Sequence, residues 1–394
     1  MVLLIPLSVS CGMFDLPEED PVLQGEELEL LSLEDVAGVF SAVDIGSSQV
    51  REVYDAVSSS AGNGYDSEYT MAELFDSPGS GVGDDRVLTG TKAGAEKSYE
   101  RPLRDLLVDY FASTRAQGND YLSFIKNSGF QIYWPYFENW DGRTMPVITF
   151  DPSGETKSNI GYIRDRDGNM QEVTVTEEMA RERPVWVINQ NSDASFTSLE
   201  VMRKNHPEWG EGGLVKIEGG VASSVRSASG TKAVSGVRTL LLKDFTMLRQ
   251  FDSWFAGASE FFVKIGAVES FHAATEAEMQ LYNPSITDFI IVVRRDQVNV
   301  PQVLNTVLVS EWTDQLENAA FMIVEDDGGT VTSWTCNATV KYNSKSYGFE
   351  LTIPYRSRDD IVWRGQLSRN YLETNNLVKG RFGDVSVTFE IVGK

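Results

Sequence analysis

Apolar side chains in the first third of the chain recur at three- and four-residue steps. Ser32 precedes Leu33, Val36, Val39 and Phe40, with Asp35 three positions on, which predicts a helix opened by a capping box. Val50, Val53, Tyr54 and Val57 keep helical spacing through residues 49–58. A turn-rich stretch, SPGSGVGDD from Ser77, then intervenes. Leu103, Leu106, Leu107, Tyr110 and Phe111 resume the stripe, and Tyr121, Phe124 and Ile125 extend it. From Phe130 the period shortens. Runs at 129–135, 145–150 and 184–188 read as strands. A hairpin is predicted from 160–163 and 173–176 around Asp167-Gly168. Helices followed by strands predict an α+β region over residues 31–209.

Residues 237–394 read as all β. Strands are predicted at 238–247, 260–268, 289–295, 303–310, 320–325, 330–342, 346–353 and 385–392. Alternation is clearest in 330–342, where Trp334, Cys336, Ala338, Val340 and Tyr342 share one face. Strands at this spacing predict a β-sandwich, C2-like or Ig-like. Between the two regions, residues 210–236 hold seven Gly and five Ser with no sustained apolar period, and read as a linker or long exposed loop. No repeat with a period of 20–50 residues is visible.

The N-terminus has a different pattern. Met1 to Ser10 carry no charge and are mostly apolar, and Cys11-Gly12 follow at once, as at the end of a lipoprotein signal segment. This reading makes residues 1–11 the signal segment and Cys11 the lipid-attachment site. No basic residue precedes the apolar run, and Ser8 stands where Leu is usual. Residues 12–30 contain Pro17, Pro21 and seven acidic side chains with no basic one, a composition expected of an unfolded tether. Beyond residue 12 no run of about eighteen apolar residues occurs. The expected location is therefore the cell envelope, at the outer membrane or cell surface, with the membrane contacted through lipid.

Charge narrows the classes of partner. The net charge is −24, of which residues 1–236 contribute −19 and residues 237–394 contribute −5. Such a surface opposes the phosphate neutralisation on which nucleic-acid binding depends. Neither the phosphate-binding GxxxxGK[ST] loop nor GxGxxG is present, so nucleotide binding is not expected.

Catalytic constellations are sparse. The chain has two histidines, His206 and His272, no HExxH and no GxSxG, which leaves no catalytic residue to name. Cys336, on the apolar face of its strand, reads as a core residue, and the two cysteines form no disulfide framework. Acidic clusters are the stronger candidates, because grouped oxygens bind calcium. Asp165-Arg-Asp167-Gly-Asn169 resembles the start of a calcium loop but lacks the later Gly and Glu, so a hairpin turn is the better reading. Asp326-Asp327 and Asp359-Asp360 fall in loops that a sandwich can gather at one end, with Asp244 or Asp252. They are the calcium candidates, set against solvated turns.

The segment from Phe130 to Gly142 holds six aromatics in eleven residues. Tyr133, Trp134, Tyr136, Trp140 and Asp141 are candidate ligand-binding residues, since aromatic faces beside polar groups suit a glycan. A strand packing Phe130, Ile132 and Trp134 inward, then a turn at Pro135, is the alternative.

The segments IYWPYFENWDGRTMPVITF, RPVWVINQN and FDSWFAGASEFFVKIG resemble those of uncharacterised exported lipoproteins of the Bacteroidetes type, which pair an α+β N-terminal region with a β-sandwich. The likeness covers about half the chain and implies no activity. The expectation is a non-enzymatic envelope lipoprotein that binds a glycan or an envelope protein, with no obligatory cofactor. An extracellular carboxylate-dependent, glycosidase-like hydrolase and a calcium-dependent adhesion module are its rivals.

Overall fold

The computed structural model describes residues 30–76, 99, 101–114, 118–154, 156–165, 168–191, 198–205, 215–218, 221–224 and 237–393. Cys11, residues 12–29, the Ser77 turn segment and His206 lie outside the described residues.

The N-terminal region is α+β, as the shift in period implies. Its helices are α1 (Leu33–Ala42), α2 (Ser47–Gly62), α3 (Met71–Phe75), α4 (Leu103–Thr114), α5 (Gly118–Asn127), α6 (Glu177–Glu182) and α7 (Leu199–Asn205). The capping box on α1 is present: Asp35 N donates to Ser32 Oγ at 3.1 Å, and Ser32 N donates to the Asp35 carboxylate at 2.8 Å. The strands are β1 (Glu68–Thr70), β2 (Phe130–Tyr133), β3 (Val147–Phe150), β4 (Ser158–Arg164), β5 (Met170–Thr176) and β6 (Val185–Gln190). They form one sheet in the order β1-β2-β6-β3-β4-β5, in which only the β3–β6 pairing is parallel.

That sheet is covered on both faces. Ile132, Trp134, Ile148, Trp186 and Ile188 pack with helix residues such as Val36, Phe40, Val53 and Phe111. Tyr133, Val147, Val185 and Val187 point the other way and pack against Trp254 and Phe255 of the C-terminal region. Double coverage explains the unbroken apolar run Val185–Ile188 of β6, since neither face of the strand meets water there.

A short antiparallel hairpin, β7 (Val215–Glu218) and β8 (Val221–Ser224), lies within the Gly/Ser-rich stretch. The sandwich follows. Its strands are β9 (Arg238–Met247), β10 (Ser259–Ala267), β11 (Ser285–Val293), β12 (Gln302–Trp312), β13 (Leu316–Glu325), β14 (Val331–Tyr342), β15 (Lys345–Arg356), β16 (Asp360–Ser368), β17 (Lys379–Phe382) and β18 (Val385–Gly393), with short helices α8 (Glu276–Met279) and α9 (Arg369–Thr374). One sheet runs β11-β10-β13-β14-β15, with β16 also on β13; the other runs β12-β9-β18-β17. Aromatic contacts join them, Phe245 to Phe261 at 5.0 Å and Phe321 to Phe389 at 5.5 Å between ring centroids.

All eight strands read from the pattern are present, while β16 and β17 are additional. β16 pairs with β13 through a register shift between Ile323 and Val324. A bulge of this kind breaks period-two alternation, which is why β16 carries no clear signal in the sequence.

Candidate functional site

Two segments meet where the sandwich adjoins the N-terminal region. Residues 248–258, between β9 and β10, bring Asp252. The end of β13 and the turn after it bring Glu325, Asp326 and Asp327. β16 starts beside them, with Asp360 in register opposite Glu325. Carboxylate oxygens of Asp252, Glu325 and Asp327 all lie within 4.8 Å of one another. The sandwich thus gathers Asp326, Asp327, Asp359 and Asp360 at one end, together with Asp252 and not Asp244, which lies within β9.

These acids are not equivalent. Asp326 is buried and engaged: it accepts from Gly328 N at 3.0 Å and meets Arg356 Nη1 at 3.4 Å. Asp359 accepts from Arg356 N at 2.7 Å. Glu325 is only 1% exposed, so its charge has lost its hydration. Burial, followed by the hydrogen bond and charge of Asp252, holds its carboxyl far above the usual range. Burial also raises Asp252, against the opposing pull of its bond to Glu325 and of Arg295. Two carboxyls this close share one proton. Asp327 is pushed up to about 6 by burial of its inner side and by the charges of Asp252, Asp360, Asp359 and Asp326.

A sign follows for stability. A carboxyl raised in the folded state binds its proton more tightly there than in the unfolded chain. Its contribution is present below the unfolded value of about 4 and is lost as pH rises through the folded one. Asp327→Asn removes one repelling charge. In chelator, its melting temperature should exceed that of the wild type at pH 8, and the gap should close near pH 4. Thermal melts at the two pH values check this; an equal or inverted gap contradicts it.

The aromatic segment takes its other reading. Trp134 and Tyr133 are 1% and 2% exposed, out of reach of any ligand. Trp140 is half-buried and already carries the Arg51 guanidinium 4.7 Å from its ring centre, while its Nε1 donates to Thr144 O at 2.9 Å. Tyr136 similarly lies under Arg181, and its hydroxyl donates to Glu177 at 2.6 Å. Asp141 shapes a turn, accepting from Thr144 N at 2.7 Å and Arg143 N at 2.8 Å; those bonds lower its pKa. A glycan platform therefore lacks the open ring faces it requires.

The remaining candidates are structural. Asp165 accepts from Asn169 N at 2.9 Å, and Gly168 has φ +84°, as a hairpin turn requires. Cys336 is buried, which pushes its thiol up to about 11 and leaves it unreactive near neutrality. His272 is exposed.

Glu325 opens the acidic run Glu325-Asp326-Asp327 in the sequence, but as the last residue of a predicted strand it is passed over there as a ligand in favour of the loop acids, although a signal exists. It closes the apolar run AAFMIVE, in which every residue is buried. A charge ending so apolar a strand implies an unusual environment. Comparison with family models, curated proteins and solved structures finds no match.

Proposed function

We propose that this protein is a lipid-anchored envelope protein with a non-enzymatic binding role, held by Cys11 and spaced from the membrane by residues 12–30. The observation that carries the reading is Cys11-Gly12, after ten uncharged, mostly apolar residues and before an acidic, Pro-containing stretch. The folded body begins immediately after this stretch, with Leu31 buried in the N-terminal core. The resemblance to exported lipoproteins of the Bacteroidetes type supports the same address. Among the described residues, no helix is long and apolar enough to cross a membrane.

An envelope protein is favoured as partner over a glycan, because Tyr136 and Trp140 already carry arginine guanidinium groups. The carboxylate-hydrolase alternative gains nothing from the Asp252–Glu325 pair, since Glu325 is buried beyond the reach of a sugar ring or peptide. Metabolic labelling with a palmitate analogue tests the anchor. The wild type should incorporate label and Cys11→Ala should not; equal labelling of the two overturns the proposal.

A further inference from the structure

We propose that Asp252, Glu325 and Asp327 form a divalent-cation site, suited to calcium, that fastens the 248–258 segment to the end of β13. Two independent observations carry it. The first is the convergence of three carboxylate oxygens within 4.8 Å, from segments more than seventy residues apart in sequence. The second is that Glu325 Oε1 and Asp252 Oδ2 are buried with no N–H, hydroxyl or guanidinium donor among the described groups, so that the two carboxyls have only each other as partners. Glu325 is 1% exposed, so water does not compensate it. Either a proton held between the two carboxyls or a cation satisfies these atoms.

The donors define the class of ion. All three are hard oxygens, with neither sulfur nor imidazole among them, which selects against zinc and copper and favours calcium or magnesium. Asp327 is exposed and leaves one side of the trio open to the waters that a calcium ion needs to complete six to eight ligands. Magnesium demands a near-ideal octahedron, whereas calcium accepts the irregular arrangement of a strand end and two loops.

The surrounding charges set the balance. Asp326, Asp359 and Asp360 add negative potential around the trio, and Asp151 adds more from the end of β3. Against them stand Arg356, occupied by Asp326, Arg249, which lies 4.0 Å from Asp360, and Arg295, whose Nη1 donates to Asp252 O at 3.2 Å while its Nε bonds Glu177 of α6 at 3.1 Å. A bound cation replaces the proton that Asp252 and Glu325 otherwise share. That proton is released to solvent, so affinity rises with pH.

The position of the site gives the ion its role. Segment 248–258 also carries Trp254 and Phe255, the side chains that pack on the N-terminal sheet. A cation on Asp252 holds this segment in place and stabilises the junction of the two regions.

The test is calcium titration of the chelator-treated full chain, followed by calorimetry and thermal melting at pH 5.5 and 7.5. One equivalent of calcium is expected to bind at pH 7.5, with a dissociation constant of roughly 0.1–1 mM, as in extracellular modules. Binding should be weaker at pH 5.5, and the melting temperature should rise with calcium. Glu325→Gln and the surface variant Asp327→Asn should each weaken binding by at least about tenfold while keeping the wild-type circular dichroism spectrum. Absence of both heat and a melting shift at several millimolar calcium overturns the site. So does wild-type affinity in Asp327→Asn, and magnesium binding as tightly as calcium overturns the choice of ion.

Discussion

Replacing Trp134 by alanine lowers the free energy of unfolding by about 3–5 kcal/mol, the range for a large aromatic removed from a packed core. Trp134 is 1% exposed and stands among three other aromatics. Its ring centre lies 5.5 Å from Trp140, 6.0 Å from Trp186 and 6.0 Å from Tyr54, each edge-on. Trp186 is rigidly held in the central strand β6, so the vacated space has few routes to collapse. The main chain beside it is also committed, with Trp134 N donating to Ser67 O at 2.8 Å. Urea unfolding followed by circular dichroism measures the loss. Trp140→Ala is the internal comparison: half-buried beneath Arg51, it should cost clearly less. Equal costs, or a loss below about 1 kcal/mol for Trp134, would mean that the pair is not divided between core and surface.

Phe255→Ala is expected to cost a similar amount, about 3–5 kcal/mol, but to act on the junction. Phe255 is fully buried and shares its cluster with Tyr133, Val147, Val185 and Val187 of the N-terminal sheet. Polar contacts pin the same segment. Asn189 Nδ2, in β6, donates to Phe255 O at 3.1 Å and to Ala256 O at 2.6 Å. Trp254 Nε1 donates to Lys157 O at 3.2 Å, and Ala258 N donates to Asp66 at 2.8 Å. A cavity at the ring loosens this seam without touching either of the larger cores. The wild type should therefore melt in one transition, and Phe255→Ala should melt in two, the regions having lost their coupling. A single transition shifted by less than about 1 kcal/mol would show that the seam contributes little.

Elements whose apolar faces repeat regularly are legible in the sequence itself. The helix over Leu33–Ala42 has its cap at Ser32, and β9 and β14 fall almost residue for residue where alternation places them. Periodicity of this kind is local, since one buried face imposes its own spacing on the residues that carry it. β11 extends four residues earlier than its apolar run because Asp288 is paired with Lys264 at 3.1 Å, and a paired charge reads as loop. β16 is obscured by its bulge, and α9 is a short helix capped by Ser368 with only Leu372 buried.

The acidic site divides along the same line. Asp326, Asp327, Asp359 and Asp360 are visible as loop acids between strands, and sandwich topology alone suffices to bring such loops to one end. Glu325 belongs to a strand pattern, and its importance depends on the depth at which that strand ends. The aromatic segment shows the converse. Its composition suits both a binding surface and a core, and the choice depends on what covers each face of β2.

Local pattern thus specifies the order of elements, the α+β and sandwich classes and the acidity of the loops, because each follows from short-range spacing and composition. The burial of Trp134, the packing of Trp254 and Phe255 on a distant sheet and the meeting of Asp252 with Glu325 follow from the assembled chain. Each depends on groups far apart in sequence excluding water from the same place, and no local pattern encodes that.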